Sequence, residues 1–279
     1  MVLFISSRPS DFNRRISIRG TWGRIAGSCS VKVIFGFGKT GEKSGLLERK
    51  IAKESRQFGD ILQSAAVRDG YRNQTRLVMA FFRYAARECE GTRLVGKADD
   101  DIWINFPAIL PVLESITSAA YIAGYFFPNG TAVLRDPVHP QSLSRADRET
   151  NHYPAYASGA FYALPLRLLG RILSAAENLK VHWIDDAFLT GDVVEAINGN
   201  ASLWSLPDDR SLIRRIGLNG YTALPDFQTS DGCRLLGSTL IHKVSPEMQR
   251  WLHEVPCLSK LHRCRLDGGA SSIRTTPTS

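Results

Sequence analysis

The 279-residue sequence is poor in cysteine and methionine, with five Cys and three Met, and has no Cys-x-x-Cys pair. Cys29, Cys89, Cys233, Cys257 and Cys264 are too widely spaced for a zinc cluster and too few to staple a chain of this length, so a buried core must supply the stability. An oxidising compartment allows at most two bridges and leaves one thiol over, whereas a reducing one leaves all five free. Long apolar runs are also missing. The longest uncharged stretch, residues 115–134, is broken by Gly124 and by Pro128-Asn129-Gly130. The opening Met1-Val-Leu-Phe-Ile-Ser-Ser-Arg8 is too short and too quickly charged for a signal peptide or membrane anchor. No basic 5–8-mer appears, which argues against a nucleic-acid reader.

What is present is an ordinary globular mixture, 43% hydrophobic and 22% charged, which excludes disorder as the main state. Lys and Arg number 35 against 27 Asp and Glu, a net charge of +8 that favours anionic ligands without naming one. Three sequons, Asn73-Gln-Thr75, Asn129-Gly-Thr131 and Asn200-Ala-Ser202, lean toward a secretory lumen.

Hydrophobic patterning predicts an α/β protein. Short apolar runs at 2–6 and 31–37 read as buried strands, with a basic helix at 11–22 between them, the order of a βαβ unit. Helical periodicity follows at 42–58 and at 73–89, where Leu77, Val78, Phe81, Phe82 and Ala85 are in phase. A strand at 94–96 runs straight into Asp99-Asp100-Asp101. Further elements are a helix at 106–113, a strand at 121–127, a long polar loop at 137–154, an apolar run at 156–164, and helices at 165–179 and 186–197. The Ser-, Thr- and Gly-rich end at 268–279 reads as a frayed tail.

Two acidic groups stand out. Carboxylates alternating along an extended backbone put Asp99 and Asp101 on one side, where they can hold a hard divalent cation; an exposed acidic turn is the plainer alternative. Asp185-Asp186 opens a predicted helix, where capping accounts for one carboxylate and catalysis is an equal reading for the other. Arg14, Arg15 and Arg19 recur near helical spacing. Arg19 at a phosphate competes with a simple solvated basic face. His242, in Leu240-Ile-His-Lys243, is either a ligand or a core histidine.

The order of these motifs resembles the β-1,3-glycosyltransferase family that contains β-1,3-galactosyltransferases, β-1,3-N-acetylglucosaminyltransferases and fringe proteins, glycosyltransferase family 31. Arg14-Arg-Ile-Ser-Ile-Arg-Gly-Thr-Trp-Gly23 matches its opening block. Glu54, Phe58-Gly-Asp-Ile-Leu62 and Tyr71-Arg-Asn-Gln-Thr75 follow in order. Lys97-Ala-Asp-Asp-Asp-Ile-Trp-Ile-Asn105 is similar to the metal-binding segment, and Tyr153-Pro-Ala-Tyr-Ala-Ser-Gly-Ala-Phe-Tyr162 to the sugar and acceptor pocket. Asp185-Asp-Ala187 falls where the family usually has Glu-Asp-Val, with Asp186 on the base carboxylate. The likeness spans roughly residues 2–253.

The resemblance implies a GT-A type, Rossmann-like nucleotide-sugar transferase fold with a central, mostly parallel sheet flanked by helices. It implies one catalytic domain over 1–265, with a nucleotide-binding half at 1–113, an acceptor-binding half at 114–265 and a flexible tail at 266–279. By the same resemblance Asp99, Asp101 and His242 would hold a divalent metal, usually Mn²⁺; Arg19, Asp99 and Asp100 would meet the nucleotide of a UDP-sugar; and Tyr156, Ser158, Gly159 and Asp185 would shape the pocket. Asp186 would be the base of an inverting transfer of galactose or an N-acetylhexosamine to a glycan on a glycoprotein or glycolipid. Family members work in the Golgi lumen behind an N-terminal membrane anchor, whereas here Met1 abuts the first strand. The rival readings are a metal-dependent phosphohydrolase using the same acidic cluster and a degenerate homologue that binds glycans without turnover.

Overall fold

The computed structural model describes residues 1–41, 45–115, 121–197, 202–205, 214–215 and 239–254. The expected tail, the sequon at Asn200, and Cys233, Cys257 and Cys264 lie outside them.

The expected α/β architecture is present. Seven strands form one sheet: β1 (Val2–Ser6), β2 (Lys32–Lys39), β3 (Ile61–Arg68), β4 (Leu94–Asp99), β6 (Tyr121–Phe127), β9 (Tyr156–Pro165) and β10 (Ser202–Ser205), in the spatial order β10-β6-β9-β4-β1-β2-β3. All pairings are parallel except those of β9, which runs antiparallel between β4 and β6. A small sheet sets β12 (Leu240–His242) antiparallel to β5 (Ile102–Ile104), with β11 (Arg214–Arg215) beyond it. The predicted polar loop carries β8 (His152–Tyr153), paired with β7 (Thr131–Ala132).

Period-two alternation divides the strands between two cores. Leu3 and Ile5 of β1 enter the core under α1 (Phe12–Gly20), α2 (Trp22–Ser28), α5 (Phe106–Ser115) and the helix Pro246–Glu254. Val2 and Phe4 enter the opposite core with α4 (Gln74–Glu88) and α6 (Leu169–Glu177). The phased residues of α4 are all buried, and the ring of Phe81 packs so close to Gly36 in β2 that an added Cβ would come within 2.4 Å of it.

Several boundaries differ from the sequence reading. The helix expected at 11–22 is two helices, broken at Thr21, whose hydroxyl donates to Ser17 O at 2.7 Å. α3 (Leu46–Phe58) ends where Gly59 adopts the left-handed conformation at φ 65°, as a C-terminal glycine does. The segment from 186 starts as a π-helical turn, Ala187–Asp192, before α7 (Val193–Ala196). β3 was not anticipated because it is a half-exposed edge strand carrying Gln63, Ser64 and two alanines.

The arginines of α1 form no solvated face. Arg15 is 0% exposed, and all five of its N–H groups find acceptors: Glu54 Oε1 and Oε2 at 2.9 and 2.7 Å, Ser7 Oγ at 3.2 Å, Arg8 O at 2.6 Å and Pro9 O at 3.0 Å. Arg19, expected at the nucleotide, is instead clamped by Asp60 through two 2.7 Å bonds and by Glu54 at 2.7 Å, with Phe35 and Phe58 on its guanidinium. Contacts of this kind, five hydrogen bonds on Arg15 and three with two rings on Arg19, consume the charge that a phosphate would need. The cluster ties α1 and α3 to the turn after β1, and that turn is one wall of the cleft described below.

Burial alone would raise the Glu54 pKa, but Arg15 and Arg19 overrule it and hold the carboxyl below its ordinary value. Its stabilisation is therefore complete above the usual glutamate range and drains away as pH falls through the depressed folded value. Glu54→Ala should cost about 3–5 kcal/mol by leaving the buried Arg15 guanidinium without a carboxylate and Arg19 with Asp60 alone, read as a lower urea midpoint at unchanged slope. A loss under about 1 kcal/mol would put the cluster on a par with surface pairs and defeat the assignment.

Candidate active site

Ligands of open α/β sheets gather beyond the carboxyl ends of the strands, where the strand order reverses. Here that point lies between β1 and β4, whose ends are in register at Ser6 and Asp99. Because β9 runs the other way, its early residues rather than its last ones reach this edge. The pairing of Lys97 with Tyr162 and of Ala98 with Phe161 carries Gly159 to the side of Asp99. A cleft of about 550 Å³ opens there. Ser6, Ser7, Arg8 and Arg14 line one part of it, Asp69 to Tyr71 another, Asp99 to Asp101 the floor, and Gly159 with Trp183 to Asp186 the far wall. Two acidic motifs 85 positions apart in the chain thus share one cavity.

The triple aspartate divides its labour. Asp100 turns toward the first wall, where Ser7 Oγ donates to it at 2.8 Å and Arg14 lies 3.8 Å away. Burial pushes its carboxyl up to about 6, against the pull of Ser7 and Arg14. Asp101 turns the opposite way, to His242 Nε2 at 3.1 Å and Lys243 Nζ at 3.2 Å. Burial works upward on it, but these two partners hold its pKa well below the ordinary value. The antiparallel pairing of Ile102 with His242 brings the late histidine to this place.

Asp99, Asp101 and His242 each offer a ligand atom within 4.8 Å of the others. Asp101 Oδ1 and His242 Nε2 are buried and pair with each other at 3.1 Å, and beyond that contact neither has a hydrogen-bond partner among the described residues. With the histidine proton on Nδ1, His242 Nε2 and Asp101 Oδ1 are both acceptors, and together with Asp99 Oδ2, 3.9 Å from the histidine nitrogen, they fit a divalent cation that takes mixed oxygen and nitrogen ligands.

On the far wall Asp186 is anchored by backbone. Its Oδ2 accepts from Gly159 N at 2.7 Å and its Oδ1 from Ala187 N at 2.8 Å. Capping and exposure to the cleft are thus combined in one side chain, since each carboxylate oxygen keeps a further lone pair. Thr190 fixes the π-helical turn to β9 by donating to Asp186 O at 2.6 Å and accepting from Ala157 N at 2.8 Å. Asp185 is buried, and its Oδ2 has only Lys97 Nζ nearby, at 3.5 Å. Burial raises the pKa of both carboxyls, with Lys97 opposing.

Of the expected site residues, Asp99, Asp100, Asp101, Gly159, Asp185 and Asp186 line the cleft, and His242 stands behind Asp101. Arg19 does not, and Arg14 of the same helix takes the position at the cleft. Tyr156 is buried in a small satellite core, stacked on Phe127 with ring centroids 4.9 Å apart, and Ser158 is likewise absent from the lining. Alternation explains both: β9 residues two apart face the same way, and the cleft receives Gly159 between them. Lys97 and Trp183 were missed. A lysine in the otherwise apolar Leu94-Val95-Gly96-Lys97-Ala98 was the visible signal for the first.

A family model described as galactosyltransferase matches residues 13–200. Among curated relatives, human N-acetyllactosaminide β-1,3-N-acetylglucosaminyltransferase 4 is 27% identical over 259 residues, covering 90% of this chain and 63% of its own. Human lactosylceramide 1,3-N-acetyl-β-D-glucosaminyltransferase is 28% identical over 199 residues, covering 68% and 52%. The chain therefore spans between about half and two thirds of the length of these relatives. Among solved structures, the apo form of the bifunctional glycosyltransferase WbbM superposes on 94% of this chain and 50% of its own, with 10% identity and a TM-score of 0.41. The motif order read from the sequence and a family match across more than half of the chain agree, and the chain belongs to the galactosyltransferase family.

Proposed function

We propose that this chain is the catalytic part of an inverting transferase that moves galactose or an N-acetylhexosamine from a UDP-sugar to a hydroxyl of a glycan, forming a β-1,3 linkage. One observation carries the reading: a single cleft is lined both by Asp99 and Asp101 of a cation-competent trio, with His242 behind them, and by the backbone-anchored carboxylate of Asp186. The names of the relatives, which are β-1,3-N-acetylglucosaminyltransferases, support the same linkage. In this reading residues 1–113 form most of the nucleotide side of the cleft and the lining residues from Gln141 to Asp186 the acceptor side, with His242 reaching back to the cation trio.

In this reading Asp186 accepts the proton of the acceptor hydroxyl as that oxygen attacks the anomeric carbon from the face opposite the nucleotide. The two backbone amides fix its orientation, which contributes through positioning as well as proton transfer. Its raised pKa makes it a better base than an exposed aspartate. Asp99, Asp101 and His242 would hold Mn²⁺, which when bound supplies Lewis-acid stabilisation to the departing diphosphate. Arg14, which also lines the cleft, adds positive charge on the nucleotide side. Asp100 and Ser7 offer polar groups there. Trp183, with Arg72 over its ring at 4.6 Å, gives the acceptor side an aromatic surface.

The reading places the enzyme in the Golgi lumen, acting on glycoproteins or glycolipids. Cys29 is disulfide-bonded and the sequon at Asn129 is exposed in a turn, both of which support an oxidising, glycosylating compartment. No helix among the described residues is long and apolar enough to cross a membrane, so any anchor would lie outside them.

Asp186→Asn should lower transfer by about 10²–10⁴-fold, a loss that saturating UDP-sugar and Mn²⁺ do not restore. Turnover at the unmodified rate, followed by mass spectrometry of the glycan product, would remove Asp186 as base. Asp101→Ala should weaken Mn²⁺-dependent UDP binding itself, by about tenfold or more, and an unchanged calorimetric titration would count against its ligand role. UDP release that proceeds equally without any acceptor would favour the phosphohydrolase.

A further inference from the structure

Lys97 stands where the two anionic halves of the cleft meet. Leu94 and Ala98 of its strand face one core and Val95 the other, so alternation would put an apolar residue at 97. The lysine side chain there is 2% exposed. Its three protons have three directions. One goes to Asp99 Oδ1 at 2.7 Å, one to Gly159 O at 2.7 Å, and the third faces Asp185 Oδ2 at 3.5 Å.

Each contact has a consequence across the cleft. Holding Asp99 by Oδ1 leaves Oδ2 as the oxygen nearest His242. Gly159 accepts from Lys97 through its carbonyl and donates to Asp186 through its amide. A Cβ at 159 would lie 3.1 Å from Asp186 Oδ2 and 3.2 Å from Lys97 Nζ, so glycine lets both groups close on the same residue. A continuous path of contacts, Asp99 to Lys97 to Gly159 to Asp186, joins the cation trio to the carboxylate opposite.

We propose that Lys97 is a positioning residue that couples cation binding at Asp99, Asp101 and His242 to the carboxylate of Asp186. It touches neither the cation nor the reacting atoms. One ammonium is shared between two sets of anions, and attraction satisfied by one set is withdrawn from the other. A cation on Asp99 loosens that carboxylate's hold on Lys97 and turns the ammonium toward the doublet; neutralising the doublet returns it to Asp99, in competition with the cation. The coupling is therefore reciprocal. A lysine with a merely structural role would leave the two sites independent.

The inference deepens the transferase reading and rests on it. Its test is a double-mutant cycle on the full chain, read as Mn²⁺ affinity in the presence of UDP by calorimetry, with circular dichroism to verify folding. Asp186→Asn should weaken Mn²⁺ binding by about fivefold or more while Lys97 is present, and that shift should be lost in the Lys97→Met background. Lys97→Gln, which keeps a donor and loses the charge, replaces Met should that variant not fold. An equal shift in both backgrounds, or none with Lys97 present, overturns the coupling and leaves the transferase reading standing. A folded, unmodified chain that binds no UDP with Mn²⁺ overturns both.

Discussion

Carboxylates do not gather in a low-dielectric cleft of their own accord, and the architecture of this protein follows from how their repulsion is managed. Asp99, Asp185 and Asp186 converge from two distant segments around the buried ammonium of Lys97. Burial works to strip that ammonium of its proton, but Asp185 and Asp99 outweigh it and hold its pKa above the ordinary lysine value. The lysine is charged because the acids are there, and the acids can be there because it is charged. Asp100 and Asp101 escape the same congestion by turning to other partners, one to Ser7 and Arg14, the other to His242 and Lys243.

A second buried charge cluster makes the first possible. Arg15 binds the carbonyls of Arg8 and Pro9 and the hydroxyl of Ser7, and Ser7 in turn donates to Asp100. The turn after β1 is thereby fixed from behind by Glu54 and from the front by the cleft. Sheet order supplies the rest. Parallel β1 and β4 end together, while antiparallel β9 begins where they end, so three strands deliver residues to one edge.

Much of this was legible in the chain because it rests on local regularities. Asp99 and Asp101 do come together apart from Asp100, although Asp100 and Asp101 lie in the turn after β4 and not in the extended backbone that alternation assumed, and helical phasing identified the buried face of α4. Arg19 shows where such reading stops. Its spacing with Arg15 announced a shared helix face, but whether that face meets a phosphate or two acids depends on Glu54 and Asp60, which only the tertiary fold brings near. Tyr156 was misplaced for a related reason: a motif identifies a segment, while the pleat decides which of its side chains turn inward. β3 was invisible because an exposed edge strand has no need of apolar residues.

The one departure in the acidic doublet also has a physical trace. The family usually carries Glu where this chain has Asp185, one methylene shorter. Asp185 Oδ2 stops 3.5 Å from Lys97 Nζ and has no hydrogen-bond partner, although it is buried and attracted to that cation. A longer side chain from the same backbone position has the reach to close the gap and engage the third ammonium proton. With Asp the third direction is only weakly held, and the lysine's firm contacts are those to Asp99 and Gly159. Shortening one acid therefore leaves Asp186 as the carboxylate whose orientation is determined by the backbone, through Gly159 and Ala187, and leaves Asp185 as a buried carboxyl that acts on Lys97 from a distance. The substitution keeps the two roles of the doublet distinct and tolerates the missing methylene, because the group that needs accurate placement never depended on it.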